Sequence, residues 1–288
     1  DCSMNELIPY KNRNKIILKK YIFFSDRIIG EGSFINTYFG YNIENKIEIA
    51  AKINKEKTKI TTSVVEIEVL KKAKGLKGFP TLYTFLKYNK YDLIIQELLG
   101  PSLKKLLLFY GSSFTVPTIF LIGIEMVNRL ESLHTLGIIH NDLKPSNFAW
   151  GTFNENKIKN RNTIYIMDFG LCTSFKYFHK NNKKNKEEDS SYNKITLTSG
   201  NYKRYGNCRF MSLDVLKGHK GTRKTEMESL IYVLIYLFNL SLPWDKVKVK
   251  TYLEKINKIT QIHLKISDDE LCKGIPFQIL LILLHIRR

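Results

Sequence analysis

The stretch His140-Asn141-Asp142-Leu143-Lys144-Pro145-Ser146-Asn147 constrains this chain more than any other. It sets a carboxylate, an ammonium and a carboxamide within one loop, three separate chemical tools at short range. The Asp can accept or orient a hydroxyl proton. The Lys can neutralise charge on a moving phosphoryl group, and the Asn can ligate a metal. Downstream, the β-rich run Ile164-Tyr165-Ile166-Met167 ends in Asp168-Phe169-Gly170. A carboxylate just past a strand, followed by glycine, suits a magnesium ligand on a pivoting loop.

Two features upstream fit the same chemistry. In Ile29-Gly30-Glu31-Gly32-Ser33-Phe34 the Gly-x-Gly lets backbone approach phosphates closely. In Ile49-Ala50-Ala51-Lys52 a lysine sits in an apolar strand, where burial is costly unless it is paired. Glu66, on the helix expected next, is its candidate partner. Glu68 is the alternative, and it faces away if Glu66 faces in. Taken singly, each motif has an ordinary structural reading as a tight hairpin, a surface lysine or a capped turn. Together they stand in the order that phosphoryl transfer needs.

The rest of the chain supplies a scaffold for them. Arg27 to Tyr41 and Lys46 to Asn54 read as strands, Thr61 to Lys74 as a helix, and Leu82–Tyr88 and Tyr91–Gln96 as two more strands. The character changes at Leu99-Gly100-Pro101-Ser102, where Gly-Pro punctuates and Ser102 is placed to cap a helix from Leu103. Helices are expected over 103–110, 116–136, 224–238 and 248–258. The polar run from Tyr177 to Tyr192 has no apolar period and reads as a solvated loop. The apolar run Ile231 to Leu242 is too short to span a bilayer and reads as a buried helix.

Composition sets the outer bounds. With 43% hydrophobic and 25% charged residues in 288, wholesale disorder is not expected. The net charge of +19 favours acidic partners, although a solvated lysine surface has the same composition. No recognition-helix or zinc pattern points to specific nucleic-acid binding. The cysteines Cys2, Cys172, Cys208 and Cys272 form no CxxC pair and read as free thiols of a reducing compartment. The first ten residues lack the pattern of a signal peptide. A soluble intracellular chain, in cytoplasm or nucleus, is expected.

The sequence resembles the eukaryotic protein kinases and, within them, the casein kinase 1 family. The closer match is carried by Leu98-Leu99-Gly100-Pro101-Ser102-Leu103, by Arg209-Phe210-Met211-Ser212 through Glu228-Ser229-Leu230, by Leu242-Pro243-Trp244 and by Leu271-Cys272-Lys273-Gly274. It implies an α+β, bilobal protein-kinase fold over 27–288, after an N-terminal extension of residues 1–26. A small antiparallel N-lobe (27–97) would join a larger helical C-lobe (102–288) through a hinge at 97–101. The implied activity is transfer of the ATP γ-phosphate to Ser or Thr of acidic or pre-phosphorylated proteins, by a monomer.

The resemblance also assigns residues. ATP would be bound by Ile29, Gly30, Gly32, Ser33, Ala50, Lys52 and Glu66, with the backbone of Glu97 and Leu99 on adenine. Asp142 would be the catalytic base and Lys144 the γ-phosphate contact. Asn147 and Asp168 would hold Mg2+. Arg209 and Lys248 would form an anion site for substrate. The departures are Ile35 for the third glycine of the phosphate loop, Asn141 for the usual Arg, and Thr173 for a basic residue. Glu226 replaces a structural Asp that tethers the catalytic loop. Gln96 sits at the gatekeeper position, Ala149 on the adenine floor and Thr37 where the family has Ile. These departures motivate the rival expectation of a pseudokinase that acts as a binding module.

Overall fold

The computed structural model describes residues 14–31, 35–54, 60–88, 91–152, 163–175 and 206–288. Gly32, Ser33 and the polar run 177–192 lie outside the described residues. The chain divides into two compact units, residues 1–101 with 149–170, and residues 102–148 with 171–288.

The first unit is built on a six-stranded antiparallel sheet of order β1-β2-β3-β4-β6-β5. Its strands are β1 (Lys15–Leu18), β2 (Tyr21–Glu31), β3 (Ile35–Asn42), β4 (Glu48–Asn54), β5 (Leu82–Tyr88) and β6 (Tyr91–Glu97). The period-2 alternation of these strands explains their two faces. Leu18, Tyr21, Phe23, Ile49, Ala51, Leu93 and Ile95 form one buried cluster, while Ala50, Lys52, Ile94 and Gln96 fall on the other face. Gly40 is required by packing: a Cβ there would lie 2.1 Å from the Ile22 carbonyl oxygen of the neighbouring strand. The sheet begins at Lys15, inside the segment expected to be an extension. The reason is local, since Leu18, Tyr21 and Phe23 bury their side chains in the shared cluster.

Helix α1 (Ile60–Lys72) follows β4 and buries Ile67, Val69 and Leu70. Asn54 Nδ2 donates to Ser63 Oγ at 2.6 Å, joining the end of β4 to the helix. A short sheet of Phe148–Trp150 with Ile164–Ile166 completes the unit. It is tied to the segment after β6, because Gly100 N–H donates to the Trp150 carbonyl and Trp150 N–H to that of Pro101.

The second unit is mainly helical. Ser102 Oγ caps α2 (Leu103–Tyr110) by accepting from the Lys105 amide, as the sequence leads one to expect. In α3 (Val116–Thr135) the buried residues Ile119, Ile122, Met126, Leu130 and Leu133 recur at the helical period. That stripe packs on α5 (Arg223–Asn239), whose residues from Leu230 to Ile235 are all buried; α4 (Leu213–Leu216) is a single turn before it. A capping box between Thr222 and Thr225 starts α5. The expected helix 248–258 is instead α6 (Tyr252–Lys265). Its start is fixed by a capping box in which Thr251 and Glu254 satisfy each other's end of the helix, a signal that hydrophobic period alone does not carry.

Helices α7 (Asp268–Leu271) and α8 (Phe277–Arg287) close this unit. The Arg287 guanidinium donates to Glu228 Oε1 at 3.0 and 3.1 Å, to the Tyr232 hydroxyl at 2.8 Å, and to Asp268 Oδ1. Beside this network Trp244 lies on His263 with ring centroids 3.8 Å apart, and Tyr232 meets both edge-on. Cys172, Cys208 and Cys272 are buried. Among the described residues no helix is long and apolar enough to cross a membrane.

Candidate active site

The first unit carries a buried ion pair on its sheet. Lys52, at the middle of β4, donates to Glu66 Oε1 of α1; their side chains are 11% and 1% exposed. The helical period puts Glu68 on the opposite side, where it is exposed and pairs with Lys71. Burial pulls the Lys52 ammonium toward neutrality, but the charges of Glu66 and Asp168 outweigh it, and the net shift of its pKa is upward. Asp168 is therefore near enough to act on Lys52, and Lys52 stays charged.

Asp168 has φ +70°, a left-handed conformation that Asp tolerates better than most residues. Next to it Phe169 is fully buried and stacks on Phe79 at 5.9 Å. Gly170 approaches α1 so closely that a Cβ would sit 3.3 Å from that of Thr62. Elsewhere in this unit, Gly30 faces Thr37 across the β2–β3 register and Ala50 is buried. Ile29 is half-buried.

The Glu97 carboxylate accepts from the Thr81 amide and hydroxyl, both at 3.1 Å, which braces the segment leading to Leu99. No described residue bonds the Leu99 backbone. Gln96 is buried, and its Oε1 meets no donor among the described residues.

The second unit carries the loop from His140 to Asn147. Asp142 is 6% exposed and its carboxylate is held from three sides. Oδ1 accepts from the Asn207 amide at 3.0 Å, and Oδ2 accepts from Asn147 Nδ2 at 3.2 Å and from Lys144 Nζ. Asn147 Nδ2 also reaches the Asp142 carbonyl at 2.9 Å. With Nδ2 so used, the Asn147 Oδ1 is the end left to face a cation, since no described residue donates to it. Ionised carboxylate oxygens accept more than one bond each, so the Asp142 pair keeps capacity for a further donor.

Asn141, with φ +66°, locks the loop from behind. Its Nδ2 donates to the Leu171 carbonyl at 2.9 Å and to the Thr173 hydroxyl at 3.0 Å. Its own amide donates to Glu226 Oε1 at 2.8 Å, while Glu226 Oε2 lies 2.8 Å from His134 Nε2. The longer Glu side chain thus reaches the loop backbone. Gly221 leaves room for Asn141, since a Cβ there would fall 2.2 Å from its Oδ1.

Arg209 is not presented as a free cation. Its guanidinium grips Asp245 through two bonds, one of 2.6 Å from Nε to Oδ1, and lies over the Tyr236 ring at 4.3 Å. Burial alone would lower its pKa, but the Asp245 bonds and charge raise it. Lys248 is exposed and forms no ion pair among the described residues. Sequence reasoning missed Asn207, whose contribution is a backbone amide, and His134. The only hint of the first was Gly206, which has φ +110°.

Each unit offers one hard oxygen donor of the kind a divalent cation takes, Asp168 in the first and Asn147 Oδ1 in the second, and among the described residues no cluster of three or more His, Cys, Asp or Glu could hold a metal ion. Magnesium takes few protein ligands and completes its shell with phosphate and water. The family model of the protein kinase domain matches residues 23–276, and the chain belongs to the protein kinase family, whose reaction transfers phosphate from ATP, with a divalent metal, to proteins.

Proposed function

We propose that the chain is an active serine/threonine protein kinase of casein kinase 1 type, which phosphorylates acidic or already phosphorylated proteins from Mg-ATP. The observation that carries this reading is the Asp142 carboxylate, fixed by Asn207, Asn147 and Lys144 yet able to accept a further proton donor. A substrate hydroxyl there would be oriented by Asp142 and give up its proton to it as its oxygen bonds the γ-phosphorus, while the bond from that phosphorus to the β–γ bridging oxygen breaks and ADP leaves. Lys144 would offset charge on the group in transfer. Mg-ATP supplies the electrophilic phosphoryl group and the cation that draws charge off it. Lys52, kept charged by Glu66 and Asp168, would hold phosphate oxygens. Asn147 and Asp168 would hold the metal.

The Leu99 backbone, which no described residue bonds, would take adenine, alongside Glu97. The preference for acidic protein rests on the net charge of +19 and on exposed lysines such as Lys248, with Arg209 a bracing residue through Asp245 rather than an anion ligand. The test is transfer of label from radioactive Mg-ATP to casein, with phosphoamino-acid analysis. Wild type should label serine and threonine, and Asp142→Asn should lower turnover by orders of magnitude. Equal labelling by both proteins, or none by either, defeats the reading.

A further inference from the structure

The Asp142 carboxylate owes one of its bonds to a peptide unit that is gripped at its other end. Tyr252, the first residue of α6, donates its hydroxyl to the Gly206 carbonyl at 2.8 Å. The amide N–H that accompanies this carbonyl in the same planar peptide is that of Asn207, which donates to Asp142 Oδ1 at 3.0 Å. In a trans peptide the C=O and N–H point in opposite directions. A hydrogen bond on the oxygen therefore fixes the plane that aims the N–H. It also polarises the amide and strengthens its donation. Gly206 permits the arrangement: its φ is +110°, and a Cβ would lie 2.8 Å from the Asn141 carbonyl oxygen. Behind the peptide, Asn207 accepts from the Arg209 and Phe210 amides at 3.1 Å, and Trp244 Nε1 donates to the Arg209 carbonyl at 2.7 Å. The loop is held on that side without Tyr252, so the hydroxyl controls orientation more than folding.

We propose that Tyr252 is a positioning residue for Asp142, acting through the Gly206–Asn207 peptide. This rests on the proposed kinase reading for its catalytic consequence, but not for its structural one. The variant Tyr252→Phe removes one oxygen from a half-exposed ring. By NMR, exchange of the Asn207 amide with solvent should quicken about five-fold, the factor for a net hydrogen bond of about 1 kcal/mol. In the casein assay kcat should fall about as much, with KM for ATP and the unfolding midpoint unchanged. Unchanged Asn207 exchange overturns the proposal, as does an unchanged kcat in an active enzyme, or a loss of kcat that comes with an equal loss of stability. If wild type transfers no phosphate that depends on Asp142, the kinase reading fails, and the amide exchange still decides the role of Tyr252.

Discussion

Glu226 Oε1 accepts the backbone N–H of Asn141 at 2.8 Å and so ties α5 to the residue before Asp142. The carboxylate is buried and its second oxygen meets His134, so it is engaged at both ends. Glu226→Ala should cost about 1.5–3 kcal/mol, the range for a hydrogen bond to a charged group, and should slow transfer. Glu226→Gln keeps an acceptor for Asn141 and should do less harm to both. Urea denaturation and casein labelling of the two variants check this. Identical losses in the two would mean that the bond to Asn141 does not matter.

Lys52→Met should separate stability from chemistry. Removing the ammonium from beside a buried carboxylate is expected to cost about 3–5 kcal/mol. Adding Glu66→Gln should recover much of that cost while leaving transfer absent. Unfolding midpoints and labelling assays on the single and double variants give the answer. A double variant as unstable as Lys52→Met would show that the pair is not the source of the loss.

Gln96 is expected to be a net liability to folding. Its Oε1 is buried on the Lys52 face of the sheet with no donor among the described residues, and such an atom costs about 1–3 kcal/mol. Gln96→Met has similar length and no such atom. It should raise the melting temperature by roughly 2–4 °C for each kcal/mol recovered. A lower melting temperature would show that the carboxamide is satisfied in solution.

His263 predicts a pH dependence. Burial, and then the charge of Arg287, lower its pKa from 6.5 to about 3. Below about pH 6.5 the unfolded chain takes up a proton that the folded chain refuses. This contribution is therefore complete above that pH and is lost as the pH falls toward 3, with a slope of up to about 1.4 kcal/mol per unit. His263→Phe keeps a ring against Trp244 without titrating. Denaturation of both proteins from pH ~7 to ~5 should show wild type losing its advantage steadily. A constant difference between them would exclude the titration of His263 as the cause.

The sequence made the site chemistry legible because it is local. Asp142, Lys144 and Asn147 fall within one loop, and Lys52 lies in an apolar strand that demands a partner; helical period puts Glu66 and Glu68 on different faces, and the structure pairs Lys52 with Glu66. Most strands and helices were legible for the same reason: their apolar residues repeat at 2 or 3.6. What the sequence hid depends on distant partners. The sequence offers Arg209 as an anion-site residue, and nothing local shows that it grips Asp245, 36 residues on. The hold of Glu226 on Asn141 spans 85 residues, and that of Tyr252 on Gly206 spans 46. The start of α6 was misplaced because capping at Thr251, not the apolar period, sets it. The early strand β1 went unnoticed because four residues are too few to show a period.

Arg287 turns α8 into a structural clasp. Glu228 and Tyr232 of α5 meet its guanidinium, and it reaches Asp268 as well. Loss of this one guanidinium would strand the Glu228 charge in the interior of its unit. A change at this one side chain would thus disable the molecule through its stability, without touching any residue of the candidate site.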